Sequence, residues 1–160
     1  HLSIRRQRQM CIRDRTKSDC RSLADLILPM LENFKNRVHA LRDPTRGGIS
    51  TTLNEIALES NVGIEVDESE LPIAKPTRTA CELLGIDPLF MANEGIMVLV
   101  IDPSSSERAA ELLRRRRFGH RSAVIGRVVR NHRGKVKMRT LIGGERYLEM
   151  LRGVSLPRIC

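Results

Sequence analysis

The spacing of apolar side chains lays out the elements. From Ser18 onward, Leu23, Leu26, Ile27, Met30, Leu31 and Phe34 recur at helical intervals, with Ser18 or Asp19 available as a cap. Pro29 falls inside that run and predicts a kink or a restart. Val38, Ala40 and Leu41 form a short apolar entry to Asp43-Pro44-Thr45-Arg46-Gly47-Gly48. Ile49, Leu53, Ile56 and Ala57 then define a second amphipathic helix that ends near Ser60 and Asn61. Residues 62–66 alternate as a strand, with Gly63 permitting close approach of another backbone. Pro72 and Pro76 bracket a predicted loop. Residues 79–84 predict a short helix stopped by Gly85, and Asp87-Pro88 a turn. The continuous apolar run 96–101 predicts a central strand. Ser104 and Glu107 match a capping box, ahead of a helix with Ala109, Ala110, Leu112 and Leu113 on its core face. Residues 123–129 predict a strand, Asn131-His132-Arg133-Gly134 a hairpin turn, and 135–140 the return strand. Gly143-Gly144 turns into 147–150. The mixture gives an α+β class, with helices packed on a largely antiparallel mixed sheet.

The two ends lack this regularity. Residues 1–15 show neither helical nor strand period and read as a disordered or foreign leader. Residues 16–151 read as one domain, and 152–160, with Gly153 and Pro157, as a flexible tail ending in Cys160. Charge follows the same division. The net charge is +9, but residues 1–18 hold six basic side chains against one acidic, so more than half of the excess sits in the leader. The body is only mildly basic, which weakens a nucleic-acid reading. Three Phe, one Tyr and no Trp supply few stacking platforms for bases. A second basic cluster, Arg114 to Arg117, reads either as the solvated end of a helix or as a surface for an acidic partner or phosphate. No apolar run is long enough for a bilayer-spanning helix, and no secretory signal pattern stands at the start, so the expected location is the cytoplasm.

Three places carry candidate chemistry. In the first, Pro44 fixes the backbone, Thr45 can cap, and Gly47 and Gly48 let a ligand approach the N-terminus of the following helix. Free N–H groups and the helix dipole favour an anion there, and Arg46 is a candidate phosphate grip. The plainer reading is a tight turn. In the second, Asn93-Glu94-Gly95 stands at the mouth of the apolar run 96–101. Glu94 is a candidate base if that strand buries it, and otherwise a solvated carboxylate. The third is the terminal Leu156-Pro157-Arg158-Ile159-Cys160, a thiol on a tethered arm whose thiolate would be nucleophilic. The cysteines at 11, 20, 81 and 160 form no Cys-x-x-Cys pair and give no structural zinc pattern. Cys81 reads as a buried core thiol.

Taken together, DPTRGG before the TTLNEIA helix, then ACELLGIDPL, ANEG, IGG and the terminal PRIC resemble the HypE family of hydrogenase maturation proteins, the carbamoyl dehydratases. The resemblance runs from about Ser18 to Cys160. It implies a PurM C-terminal-like fold within the aminoimidazole ribonucleotide synthetase superfamily, whose other members share only a looser Asp-x-Thr-x-x-Gly loop. It also implies that Cys160 receives a carbamoyl group from the carbamoyltransferase HypF. ATP, with Mg, activates the amide oxygen, and loss of phosphate leaves a thiocyanate. The cyano group then passes to iron on a HypC–HypD complex. Under the resemblance Glu94 helps remove the amide proton. Asp43, Thr45, Arg46, Gly47, Gly48 and Asn93 lie near the nucleotide phosphates.

The departure from the family pattern is large. Residues 1–42 show nothing of the upstream domain that supplies most ATP and magnesium ligands in that family. The expectation is therefore a C-terminal part that folds but does not turn over ATP alone, with any homodimer left open. Two other readings stand beside it. One is another ATP-dependent synthetase of the superfamily, in which Cys160 is dispensable. The other is a basic nucleic-acid-binding module using the leader and the Arg114–Arg117 patch.

Overall fold

The structure is a computed structural model and describes residues 20–150. The leader, Cys11, the tail and Cys160 lie outside the described residues. Four α-helices and six strands alternate in this part of the chain. Helix α1 is Ala24–Phe34. Its cap position is Leu23, with no side-chain hydrogen bond, rather than Ser18 or Asp19. Pro29 neither splits nor restarts the helix; the Asn33 amide donates to the Pro29 carbonyl at 2.7 Å.

A short turn leads into strand β1 (Val38–Arg42), which pairs antiparallel with β3 (Val98–Ile101). Val38 faces Ile101 and Arg42 faces Val98. The run 96–101 is thus not a central strand: among the described residues it pairs with β1 alone. Its apolar character has another cause, because this two-stranded ribbon carries a core on each side. Val98 and Val100 join the larger cluster, built from α2 (Gly48–Glu59) and the second sheet. Val38, Leu99 and Ile101 join the smaller one, built around Met30, Phe34 and Ala109 of α1 and α4 (Ser106–Arg114). A strand buried on both faces reads as a continuous hydrophobic run wherever it stands in a sheet.

The second sheet has the order β4-β2-β5-β6, with β2 at Gly63–Asp67, β4 at Gly126–Val129, β5 at Val136–Arg139 and β6 at Glu145–Leu148. Strand β2 lies antiparallel to β4 and parallel to β5. Residues 131–134 therefore do not close a hairpin; they carry the chain across the end of β2. The crossing explains Gly63. A Cβ there would fall 1.9 Å from the Asn131 carbonyl oxygen and 3.0 Å from His132 Nε2. Gly134 N–H donates to Val62 and Ile64 N–H to Lys135, which binds the crossing to the strand beneath it. Strands β5 and β6 do form a hairpin, with Gly143 at φ 84° in the turn. Ile64 and Val66 face α2, while Glu65 and Asp67 face outward. Glu65 pairs with Arg127 at 2.8 Å, Asp67 with Arg139, and Lys137 with Glu145 at 2.9 Å.

Two smaller expectations also change. Helix α3 (Lys75–Leu84) begins four residues earlier than its apolar pattern suggests, because Pro76 lies in its first turn, where a missing N–H costs no helical bond. Gly85 ends it at φ 65°, as read from the sequence. The Ser104–Glu107 capping box does not form. Residues Pro103–Ser105 make a 3-10 turn, Ser105 takes the cap position without a side-chain bond, and Glu107 approaches Arg114 at 3.9 Å.

Candidate functional site

The hexapeptide 43–48 links β1 to α2, and the backbone N–H of Asn93 donates to the Pro44 carbonyl at 3.0 Å. Two segments fifty residues apart in sequence are thereby fixed side by side, at the end of the ribbon where Arg42 faces Val98. Pro44 is fully buried at this junction. Gly48 is demanded by geometry. Its φ is +64°, and a Cβ would sit 2.4 Å from the Leu89 carbonyl oxygen and 2.6 Å from that of Met91. Gly47, at φ +68°, caps α2 against the Thr51 side chain. The Asn93 side-chain amide donates to the Met91 carbonyl at 2.6 Å, so Asn93 holds its own loop.

Three charged side chains remain around this junction. Asp43, Arg46 and Glu94 are exposed, and none is in an ion pair or a side-chain hydrogen bond among the described residues. Glu94 stands in solvent, so the burial that the sequence reading looked for from the neighbouring strand is not there. Thr45 is half-buried beside them. The first bond of the loop into the helix is Thr51 N–H to Gly47 O, at 3.3 Å. The N–H groups ahead of Thr51 have no carbonyl one turn behind them within the helix. Thr51 Oγ1 is itself buried and without a partner. A helix N-terminus with free N–H groups suits a phosphate group, whereas the space beside Gly47 and Gly48 is filled by Thr51 and by the carbonyls of Leu89 and Met91, so these two glycines serve close packing. Among the described residues no group of three His, Cys, Asp or Glu stands close enough to hold a metal ion.

The sequence reading missed a second function of α2. Ser50 Oγ donates to the Glu149 carbonyl at 2.9 Å, and Asn54 Nδ2 donates to the Leu148 carbonyl at 3.0 Å. Both side chains are buried. They anchor the chain just before residues 151–160 to the first two turns of the helix that starts at Gly48. The signal was present: two polar residues four apart, on a face otherwise made of Leu53, Ile56 and Ala57. Cys81, as expected, is a core thiol. It is 3% exposed, its Sγ lies 3.2 Å from Met91 Sδ, and burial pushes its pKa up, which keeps it protonated and inert.

Residues 5–139 match the family described as AIR synthase related protein, C-terminal domain. The chain belongs to that family. Within it, the chain is 43% identical over 143 residues to the carbamoyl dehydratase HypE of Azotobacter vinelandii, covering 89% of this chain and 42% of that one. A crystal structure of the hydrogenase maturation protein HypE in complex with ATP superposes with a TM-score of 0.81 at 40% identity, over 89% of this chain and 44% of that one. A chain in a crystal structure of a HypE–HypF complex gives a TM-score of 0.78 at 35% identity, over 84% and 43%. The chain thus spans less than half the length of these relatives. No helix among the described residues is long and apolar enough to cross a membrane.

Proposed function

We propose that this chain is the carrier-bearing C-terminal part of a carbamoyl dehydratase that makes the cyano ligand for nickel–iron hydrogenase. Cys160 accepts a carbamoyl group as a thiocarbamate. The amide oxygen takes the γ-phosphoryl group of ATP, the co-substrate, and leaves as inorganic phosphate. The nitrogen gives up its protons, and an S-cyano group remains on Cys160. The elements lost are those of water, so no oxidant or reductant is needed. Glu94 is the base for the amide nitrogen. Arg46, Thr45 and the backbone at Gly47 and Gly48, with Asp43 and Asn93 framing the loop, face the phosphates. On this reading most ATP and Mg ligands belong to an upstream domain. HypF is the donor, as the HypE–HypF complex of a relative suggests, and a HypC–HypD complex the acceptor.

One observation carries this reading: Ser50 and Asn54 root the chain before the tail beside the loop that ends at Gly48. Cys160 is the tenth residue after Met150, and a fully extended chain of ten residues spans at most about 35 Å. On this reading the thiol must reach the junction of residues 43–48 and 93–95 within that span. A swinging carrier can visit a donor and then a closed site where water does not compete.

The test is phosphate release from ATP by S-carbamoylated chain, alone and with the upstream domain of a HypE relative added. Release only with that domain, and none for Cys160→Ser, supports the reading. Cys160-independent release would favour another synthetase of the superfamily.

A further inference from the structure

At the other end of the β1–β3 ribbon, where Val38 faces Ile101, a cleft of about 830 Å³ opens between the end of α1 and the outer face of α4. Its floor is Phe34 and Leu112, and its walls carry Arg37, Arg108, Arg115 and Arg116 against the single carboxylate of Glu111. Positions 108, 112, 115 and 116 share one face of α4 and its C-terminal extension by helical spacing. Arg37 is engaged: its guanidinium donates to Ser104 Oγ at 3.2 Å and lies 3.6 Å from Asp102. Arg108, Arg115 and Arg116 have no ion pair among the described residues. Five arginines elsewhere are matched, Arg42 with Glu55 and Glu59, Arg78 with Glu68, Arg127 with Glu65, Arg139 with Asp67 and Arg146 with Asp87, while Arg46, Arg117, Arg121, Arg130 and Arg133 also lack an ion pair among the described residues but do not line this cleft.

Three uncompensated guanidiniums converging on one cleft repel one another, and a carboxylate-rich occupant relieves that. We infer that this cleft docks an acidic segment of a partner protein, with carboxylates on the three arginines and an apolar side chain against Leu112. Guanidinium forks match carboxylates in bidentate geometry. A nucleic-acid strand fits less well. The cleft's one aromatic, Phe34, is 6% exposed and offers no face for a base. The cleft is also far wider than one phosphate, near the upper end of the roughly 300–1,000 Å³ of ligand pockets.

The experiment uses the full 160-residue chain and a fluorescein-labelled peptide of six glutamates around one leucine, read by anisotropy. Arg108→Glu/Arg115→Glu/Arg116→Glu is compared with Arg117→Glu/Arg121→Glu/Arg133→Glu, which changes the charge equally outside the cleft. Binding weakens about tenfold or more in the first and less than about twofold in the second. The glutamine variants of the same three arginines give the same ranking if charge reversal disturbs the fold. Three results overturn the proposal: no binding by the unmodified chain, equal weakening by both sets, or tighter binding of a 12-nucleotide single strand that the cleft variant alone loses.

Discussion

At one end of the β1–β3 ribbon, the backbone does the work. Pro44 is buried, Gly48 lies against the carbonyls of Leu89 and Met91, and the Asn93 N–H ties the two loops together. At the other end, long arginine side chains stand around an open cleft with little backbone contact. Four to five residues of strand separate them, about 15 Å. The first end requires close packing, so its chemistry and its stability are inseparable. The second can be changed without touching the core. Under the two proposals above, a reaction site stays fixed while a docking surface is free to vary.

The largest expected effect is at Gly48. Gly48→Ala places a Cβ against two carbonyl oxygens at a positive φ, and should cost about 2–3 kcal/mol. A fall of roughly 5–10 °C in thermal midpoint would show it; an unchanged midpoint would mean that the junction is looser than its geometry. Next is Asn54→Ala, which leaves the buried Leu148 carbonyl without its side-chain donor. About 1–3 kcal/mol is expected, together with faster amide hydrogen exchange in β6. Removal of the same bonds without change in β6 would separate α2 from the tail. At the opposite end, Arg108→Ala, Arg115→Ala and Arg116→Ala should each move stability by no more than about 0.5 kcal/mol in chemical denaturation. A larger loss there would erase the contrast between the two ends.

The smallest effect lies on the outer face of the sheet, away from both ends. The hydrogen bond from Arg139, with those from the Ser69 side chain and backbone, holds the Asp67 carboxyl at about 2, below its ordinary 3.8. The Arg127 hydrogen bond lowers Glu65 in the same direction. A carboxylate depressed in the folded state contributes stability that is full above its unfolded pKa and is lost as pH falls through the folded one. Stability should therefore decline between about pH 4 and pH 2, and Asp67→Asn should flatten that decline without altering either end of the ribbon. Urea titrations across that range measure it.

How much of this was legible in the sequence depended on the range of the interaction. Gly85, Gly143-Gly144 and the α2 stripe are local signals, and each was placed correctly. The turn at 131–134 was legible as a turn but not as a crossover, because the strand it passes over lies some seventy residues earlier. Only the absent side chain of Gly63 hinted at it. The apolar run 96–101 reads as central from sequence because burial on both faces looks alike in a sheet's middle and in a ribbon between two cores. At the candidate site, the DPTRGG and ANEG segments were legible by residue type and resemblance, but the Asn93–Pro44 bond that unites them was not. Glu94 shows the limit most clearly, since an adjacent apolar strand did not bury it. Ser50 and Asn54 passed as ordinary helix residues because their partners, Glu149 and Leu148, lie more than ninety positions away.

The most direct test of the central claim is the intact mass of this chain after incubation with HypF, carbamoyl phosphate and ATP, beside Cys160→Ser. The account predicts a gain of one carbamoyl group on the unmodified chain, none on the variant, and loss of water only after the upstream domain is supplied. A carbamoyl group that persists on Cys160→Ser would contradict the assignment of Cys160 as the carrier.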